Sequence, residues 1–138
     1  MITKAIRSLL LSDAAISDYT GGHVWSDQMQ QGADPPCIVL LMVNEDINNV
    51  FGGPLGVDAA TFQVESVGRT RQEADDLATL VRKQVGGFRG TVDGVVIREG
   101  NLQRRYEATD EPEQGSDLHR YRSIIDVVFT YGTQERSC

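Results

Sequence analysis

The residue types that could do covalent or metal chemistry in this chain are few and scattered. There are two histidines, His23 and His119, and two cysteines, Cys37 and Cys138. His23, His119 and Cys37 are possible zinc-ligand types, but none lies at a short ligand spacing from another, and such scattered sets arise by chance. Cys37 opens the apolar run Ile38–Val43, where a buried thiol is inert, which argues against a Cys37–His119 nucleophile pair. Cys138 is the last residue, so a disulfide framework is not expected; two free thiols in a reducing compartment are. Asp75 and Asp76 are adjacent on a predicted helix and diverge from each other, so its dipole explains them better than acid–base work. Gly52-Gly53-Pro54-Leu55-Gly56 lacks the lysine and following helix of a phosphate loop, and no HExxH, nucleophile elbow or CxxC occurs. Arg104-Arg105-Tyr106 and Arg120-Tyr121-Arg122 interleave bases with aromatics as nucleic-acid platforms do. Strand alternation instead predicts the aromatics in the core and the arginines outside in cross-strand ion pairs. No catalytic constellation, metal site or cofactor site is expected, and the chain does not read as an enzyme.

The elements that position these residues follow from periodicity. Ile2, Ala5, Ile6, Leu9 and Leu10 share one helical face. Ser12 or Asp13 can cap a second helix over Ala14–Tyr19, stopped by Gly21-Gly22. A short strand is predicted at His23-Val24-Trp25, and Asp34-Pro35-Pro36 keeps the chain extended before a strand over Cys37–Val43, buried on both faces. Ala60, Phe62 and Val64 alternate with polar neighbours, a half-buried strand. Thr70-Arg71-Gln72-Glu73 is a capping box that opens a helix with the apolar stripe Ala74, Leu77, Ala78, Val81 and Val85, ended by Gly86-Gly87. Asp93-Gly94 joins Thr91-Val92 to Val95–Arg98 as a hairpin, and a separate strand is predicted over Leu102–Ala108. His119, Tyr121, Ser123, Ile125, Val127, Phe129 and Tyr131 share one parity of a long final strand, with Arg120, Arg122, Asp126 and Thr130 opposite.

Two connections stand out. Asn44–Asp58 is long beside the ~4–6 residues usual in a compact domain, and it holds Ile47, Val50, Phe51 and Leu55. It reads as an extended loop or arm. Thr109–Asp117 carries four acids, a proline and a glycine, the composition of a mobile acidic loop. The order of elements predicts one α+β domain over residues 1–138, an antiparallel or mixed sheet packed against two or three helices.

The 138 residues suffice for one core, and 40% apolar with 24% charged residues is an ordinary globular balance. No apolar run approaches the roughly 20 residues of a membrane helix, and Lys4 and Arg7 interrupt the first apolar stretch, so neither membrane span nor signal peptide is expected. The net charge is −7: residues 1–68 hold two bases against eight acids (−6), and residues 69–138 hold eleven against twelve (−1). That balance does not favour sequence-specific nucleic-acid binding, but it can give a subunit two differently charged surfaces.

Several stretches together resemble the tail-completion (tail-terminator) family of siphophages, prophages and gene-transfer agents. Leu9-Leu10-Leu11-Ser12-Asp13-Ala14-Ala15-Ile16 followed by Gly21-Gly22-His23-Val24-Trp25 is similar to that family's opening helix, turn and first strand. Asp34-Pro35-Pro36-Cys37-Ile38-Val39-Leu40 resembles its proline-led second strand. Phe62-Gln63-Val64-Glu65-Ser66-Val67, then Thr70 and the helix through Ala74 and Leu77, resemble its strand and "EAxxL" helix. Asp117-Leu118-His119-Arg120-Tyr121-Arg122-Ser123-Ile124-Ile125-Asp126-Val127 resembles its final strand. The Asn44–Asp58 and Thr109–Asp117 segments depart from the pattern. The resemblance implies a structural virion protein, assembled in the host cytoplasm, that forms a ring, a hexamer by analogy, on the head-proximal end of the tail. The implied partners are other copies of the chain, the tail tube protein and a head-completion or connector protein, with DNA passing through the lumen. Ile47, Val50, Phe51 and Leu55, with Arg120 and Arg122, are the expected oligomer or partner interface. The alternatives are a head-side connector or minor tail protein of the same region and, more distantly, a small metal- or thiol-dependent hydrolase.

Overall fold

A computed structural model describes residues 2–26, 36–47, 58–110 and 120–133. Helix α1 (Ile2–Leu11) buries Ile2, Ala5, Ile6, Leu9 and Leu10, the stripe expected from their spacing. Helix α2 (Ala14–Thr20) starts where the Asp13 side chain accepts from the Ala15 amide, and Gly21 in the left-handed region closes it. Helix α3 (Arg71–Val85) opens on the capping box: Thr70 Oγ1 accepts from the Glu73 amide at 3.1 Å, and the Glu73 carboxylate accepts from the Arg69 amide at 2.8 Å.

Among the described residues, six strands form one mixed sheet, curled as a half-barrel: β1 (Val24–Ser26), β2 (Cys37–Asp46), β3 (Asp58–Gly68), β4 (Gly90–Val92), β5 (Val95–Asp110) and β6 (Arg120–Thr133). The spatial order is β1-β2-β3-β6-β5-β4; only β1 runs parallel to its neighbour. All three helices share one core with a single face of the sheet. Ile38 and Leu40 of β2, Ala60, Phe62 and Val64 of β3, and Ile125, Val127, Phe129 and Tyr131 of β6 pack there against α1, α2 and α3. Phe62 and Phe129 meet edge to face at 5.9 Å between centroids, an arrangement that adds to their area burial.

Several expected boundaries move. The β2 strand runs three residues past Val43, because Asn44, Glu45 and Asp46 find partners in Thr61, Ala60 and Ala59 beyond a bulge at Met42/Asn44. Only Cys37–Leu40 is buried on both faces; Met42 and Val43 are exposed. The Asn44–Asp58 connection therefore loses its first three residues to β2 and its last to β3, and residues 48–57 lie outside the described residues. In the same way β5 takes in Thr109 and Asp110, leaving 111–117 outside the description.

The predicted strands Val95–Arg98 and Leu102–Ala108 are one strand, irregular between Ile97 and Glu99 and again between Leu102 and Arg104. Gly100 makes this possible. Its amide donates to Phe88 O at 3.1 Å and its carbonyl accepts from the Gly87 amide at 2.7 Å, so the end of α3 sits on the strand. A Cβ at Gly100 would lie 2.3 Å from Val85 O, so only glycine permits that approach. At the hairpin, Asp93 and Gly94 both have positive φ, as a tight two-residue turn requires.

Candidate interaction surfaces

On the helix side of the sheet, charge is used to fasten α3 to the strands. Asp75 Oδ1 accepts from Ser123 Oγ and from Arg105 Nη2, both at 2.6 Å. Arg105 also donates to Glu107 and to Ser123 Oγ, each at 3.0 Å. Arg71 sends one guanidinium nitrogen to Arg122 O (3.0 Å) and the other to Ala108 O (3.1 Å), with its plane over the Tyr121 ring at 5.3 Å. Asp75, expected as a helix-dipole residue, is thus a bridge between α3, β5 and β6. Its neighbour Asp76 points elsewhere and accepts from Gln72.

The opposite face of the sheet carries none of the described helices. Near its β1 edge, Cys37, Val39 and Val67 form a small buried cluster with Trp25 against it, and His23 stacks on Trp25 at 5.6 Å. Burial pushes the Cys37 thiol up to about 11, with Arg122 and then Arg120 opposing more weakly, so the sulfur stays a neutral thiol. Further along, Arg122 pairs with Glu65, Gln63 Nε2 donates to Tyr106 Oη at 3.0 Å, and Arg104 Nε donates to Asp126 Oδ2 at 2.7 Å. Arg104 also lies over the Tyr106 ring at 5.1 Å, and burial, then Asp126, raises the Tyr106 hydroxyl's pKa.

This layout corrects one expectation. Tyr106 is not a core aromatic with arginines opposite; it shares its face with Arg104, while Arg105 turns to the helices. The reason is that the Leu102/Arg104 irregularity resets the parity of the strand. The expected cross-strand ion pairs are present as Arg104–Asp126 and Arg122–Glu65.

Of the expected interface residues, Ile47 is described and 67% exposed. Met42 and Val43, at 39% and 54%, are exposed on the same end of β2, a feature the apolar run concealed by looking uniformly buried. Val50, Phe51 and Leu55 lie outside the described residues, as does His119. Arg122 is half-buried and engaged by Glu65, and Arg120 stands opposite Asp110 in the β5–β6 register. The structure does not bring Ile47 together with these arginines: they occupy opposite ends of the sheet. Among the described residues, no cluster of three or more His, Cys, Asp or Glu side chains is placed to hold a metal ion.

Polar groups tied up internally, and large apolar side chains left exposed at one strand end, define an α+β subunit suited to contact with other protein surfaces. The family model for "Tail completion protein gp17" matches residues 4–132, and the chain belongs to that family. It is a structural protein of a bacteriophage-type virion and not an enzyme. Among solved structures, a chain of the "Virion of native gene transfer agent (GTA) particle" is similar over 94% of this chain and 93% of its own, with a TM-score of 0.59 and 15% identity. Likeness at that identity shows a shared fold. No curated protein matches the chain.

Proposed function

We propose that the protein closes the head-proximal end of the tail tube as a ring of identical subunits, six by family analogy, ending tube growth and offering the surface to which the head attaches. The observation that carries this reading is the set of exposed apolar side chains Met42, Val43 and Ile47 on one strand end of a tail completion protein. Large apolar residues grouped in the open are contact surface in waiting. A closed ring uses head-to-tail contacts between two different patches of each subunit, and the uneven charge along the chain supports two unlike faces. The net charge of −7 also suits a lumen through which DNA slides without being held, because phosphates are not gripped where bases are scarce. The tube protein and a head-completion or connector protein are the partners on either side, and assembly takes place in the host cytoplasm.

Electron microscopy of lysates from the parent phage lacking this gene tests the reading. Overlong or irregular tails without heads are expected, since the tube has lost its stop. Tails of normal length beside DNA-filled heads would replace the terminator role with head joining alone. Infectious particles of normal form would overturn both.

A further inference from the structure

The two outer edges of the sheet are complementary. Strand β1 covers only Ile38–Leu40 of β2, so among the described residues nothing pairs with the outer edge of Leu41–Asp46. At the other side, β4 covers only Val95–Ile97 of β5 and the end of α3 takes Gly100, leaving the outer edge of Leu102–Ala108 without a strand partner among the described residues. The β2 edge ends in Glu45 and Asp46, both exposed, with the Glu45 carboxylate accepting from the Tyr131 hydroxyl of its own subunit. The β5 edge borders a groove of about 260 Å³ lined by Arg82, Leu102, Gln103, Arg104, Arg105 and Ile125. The β2 edge thus presents Asp46, and the β5 edge presents Arg104, which keeps most of its side chain exposed beside Asp126.

We infer that the β2 edge of one subunit pairs with the β5 edge of the next copy, joining the sheets of the ring into one continuous wall. This rests on the ring reading above and specifies its contact. Direction agrees with it. The antiparallel pairings from β2 through β3 and β6 to β5 make β2 and β5 of one sheet opposed, so rotation about a ring axis along the strands brings β5 antiparallel to the neighbour's β2. Side-chain parity agrees as well. Glu45 and Arg105 are on the helix side of the sheet, while Asp46 and Arg104 are on the other. Directly opposed residues in an antiparallel pair share a face. A register with Asp46 opposite Arg104 therefore places an exposed carboxylate beside a guanidinium on one face, while Glu45, which accepts from the Tyr131 hydroxyl, and Arg105, which is held by Asp75 and Glu107, lie opposite each other on the helix side. It also sets Asn44 opposite Tyr106 and Thr109 opposite Leu41, so the pairing ends where Ser26 of β1 takes Leu40. Arg104 is held by Asp126 through one nitrogen, and 71% of its side chain is still exposed to meet a second carboxylate.

The test is a cysteine pair in a Cys138→Ser background, with the buried Cys37 kept. Asp46→Cys with Arg104→Cys, and separately Asn44→Cys with Tyr106→Cys, are assembled into particles or rings and mildly oxidised. The inference expects a ladder of covalent multimers on a non-reducing gel for a pair, and none for any single substitution, because the contact is heterologous. Folding of each variant is checked by its circular dichroism, and either pair alone suffices. Rings visible by electron microscopy with no ladder from a folded pair overturn the edge contact and leave the ring intact. Absence of any ring from wild-type protein and particles overturns both.

Discussion

Ser123 on β6 donates its hydroxyl hydrogen to Asp75 on α3 at 2.6 Å, and the same carboxylate oxygen receives Arg105 of β5. One carboxylate thus fixes the helix against the two longest strands, in a position where sequence periodicity alone would place a solvent-facing acid.

Replacing Asp75 with Asn keeps the shape and removes the charge. The expected loss is about 0.5–1 kcal/mol of unfolding free energy, because the amide oxygen still accepts from Ser123 and the ion pair with Arg105 is more than a third exposed. Denaturant unfolding of Asp75→Asn, Ser123→Ala and the double variant checks this. The two single losses should not add, because they share one bond.

Gly100→Ala should destabilise the fold by about 1–3 kcal/mol, the usual cost of forcing extra volume into a packed site. The new methyl would meet Val85 O and the Phe129 ring, so α3 and β5 must separate. Thermal melting of the variant reads the effect, and an unchanged midpoint would contradict the close approach.

Cys37 makes stability fall at high pH. In the unfolded chain the thiol ionises near its ordinary value of 9.0, whereas burial in the fold raises it to about 11. The folded state therefore holds a proton that the unfolded state releases, and stability is lost as pH rises from about 9 to about 11. Cys37→Ala removes this contribution. The difference in stability between wild type and variant should shrink across that window, measured by urea unfolding at a series of pH values.

Val43→Lys and Ile47→Lys should change monomer stability by no more than about 0.5 kcal/mol, as expected for exposed positions. Both should reduce assembly into particles, seen as fewer heads with tails by electron microscopy. Normal assembly would remove this strand end from the contact surface.

What could be read from the sequence follows the strength of local signals. The α3 capping box names its residues outright, because Thr70 and Glu73 act on backbone groups within one turn. The helix-side parity of β6, from Ser123 to Tyr131, was likewise legible, since alternation over a long strand has a single solution. Continuity of β5 was not. Glu99, Gly100 and Asn101 are poor strand formers locally, and their place depends on the docking of Val85, Gly87 and Phe88 at the end of α3, 12 to 15 residues before Gly100. The β2 extension through Asn44-Glu45-Asp46 was hidden for a similar reason: the pairing that creates it is with β3. Asp75 shows the general limit. Its spacing describes a helix surface, and only tertiary packing reveals that Arg105 and Ser123 arrive there. Ile47 stands out in the sequence as an apolar residue beside a long connection and is exposed in the structure, whereas the exposure of Met42 and Val43 is hidden within an apolar run.

The central claim is that this protein stops tail-tube growth by capping the tube as a ring. Purified protein added to self-assembling tube subunits of the same phage tests it directly, with tube length and end structure read by negative-stain electron microscopy. The account predicts shorter tubes as the protein is increased, with ring-shaped density at one end only. Tubes of unchanged length and uncapped ends at saturating protein would contradict it.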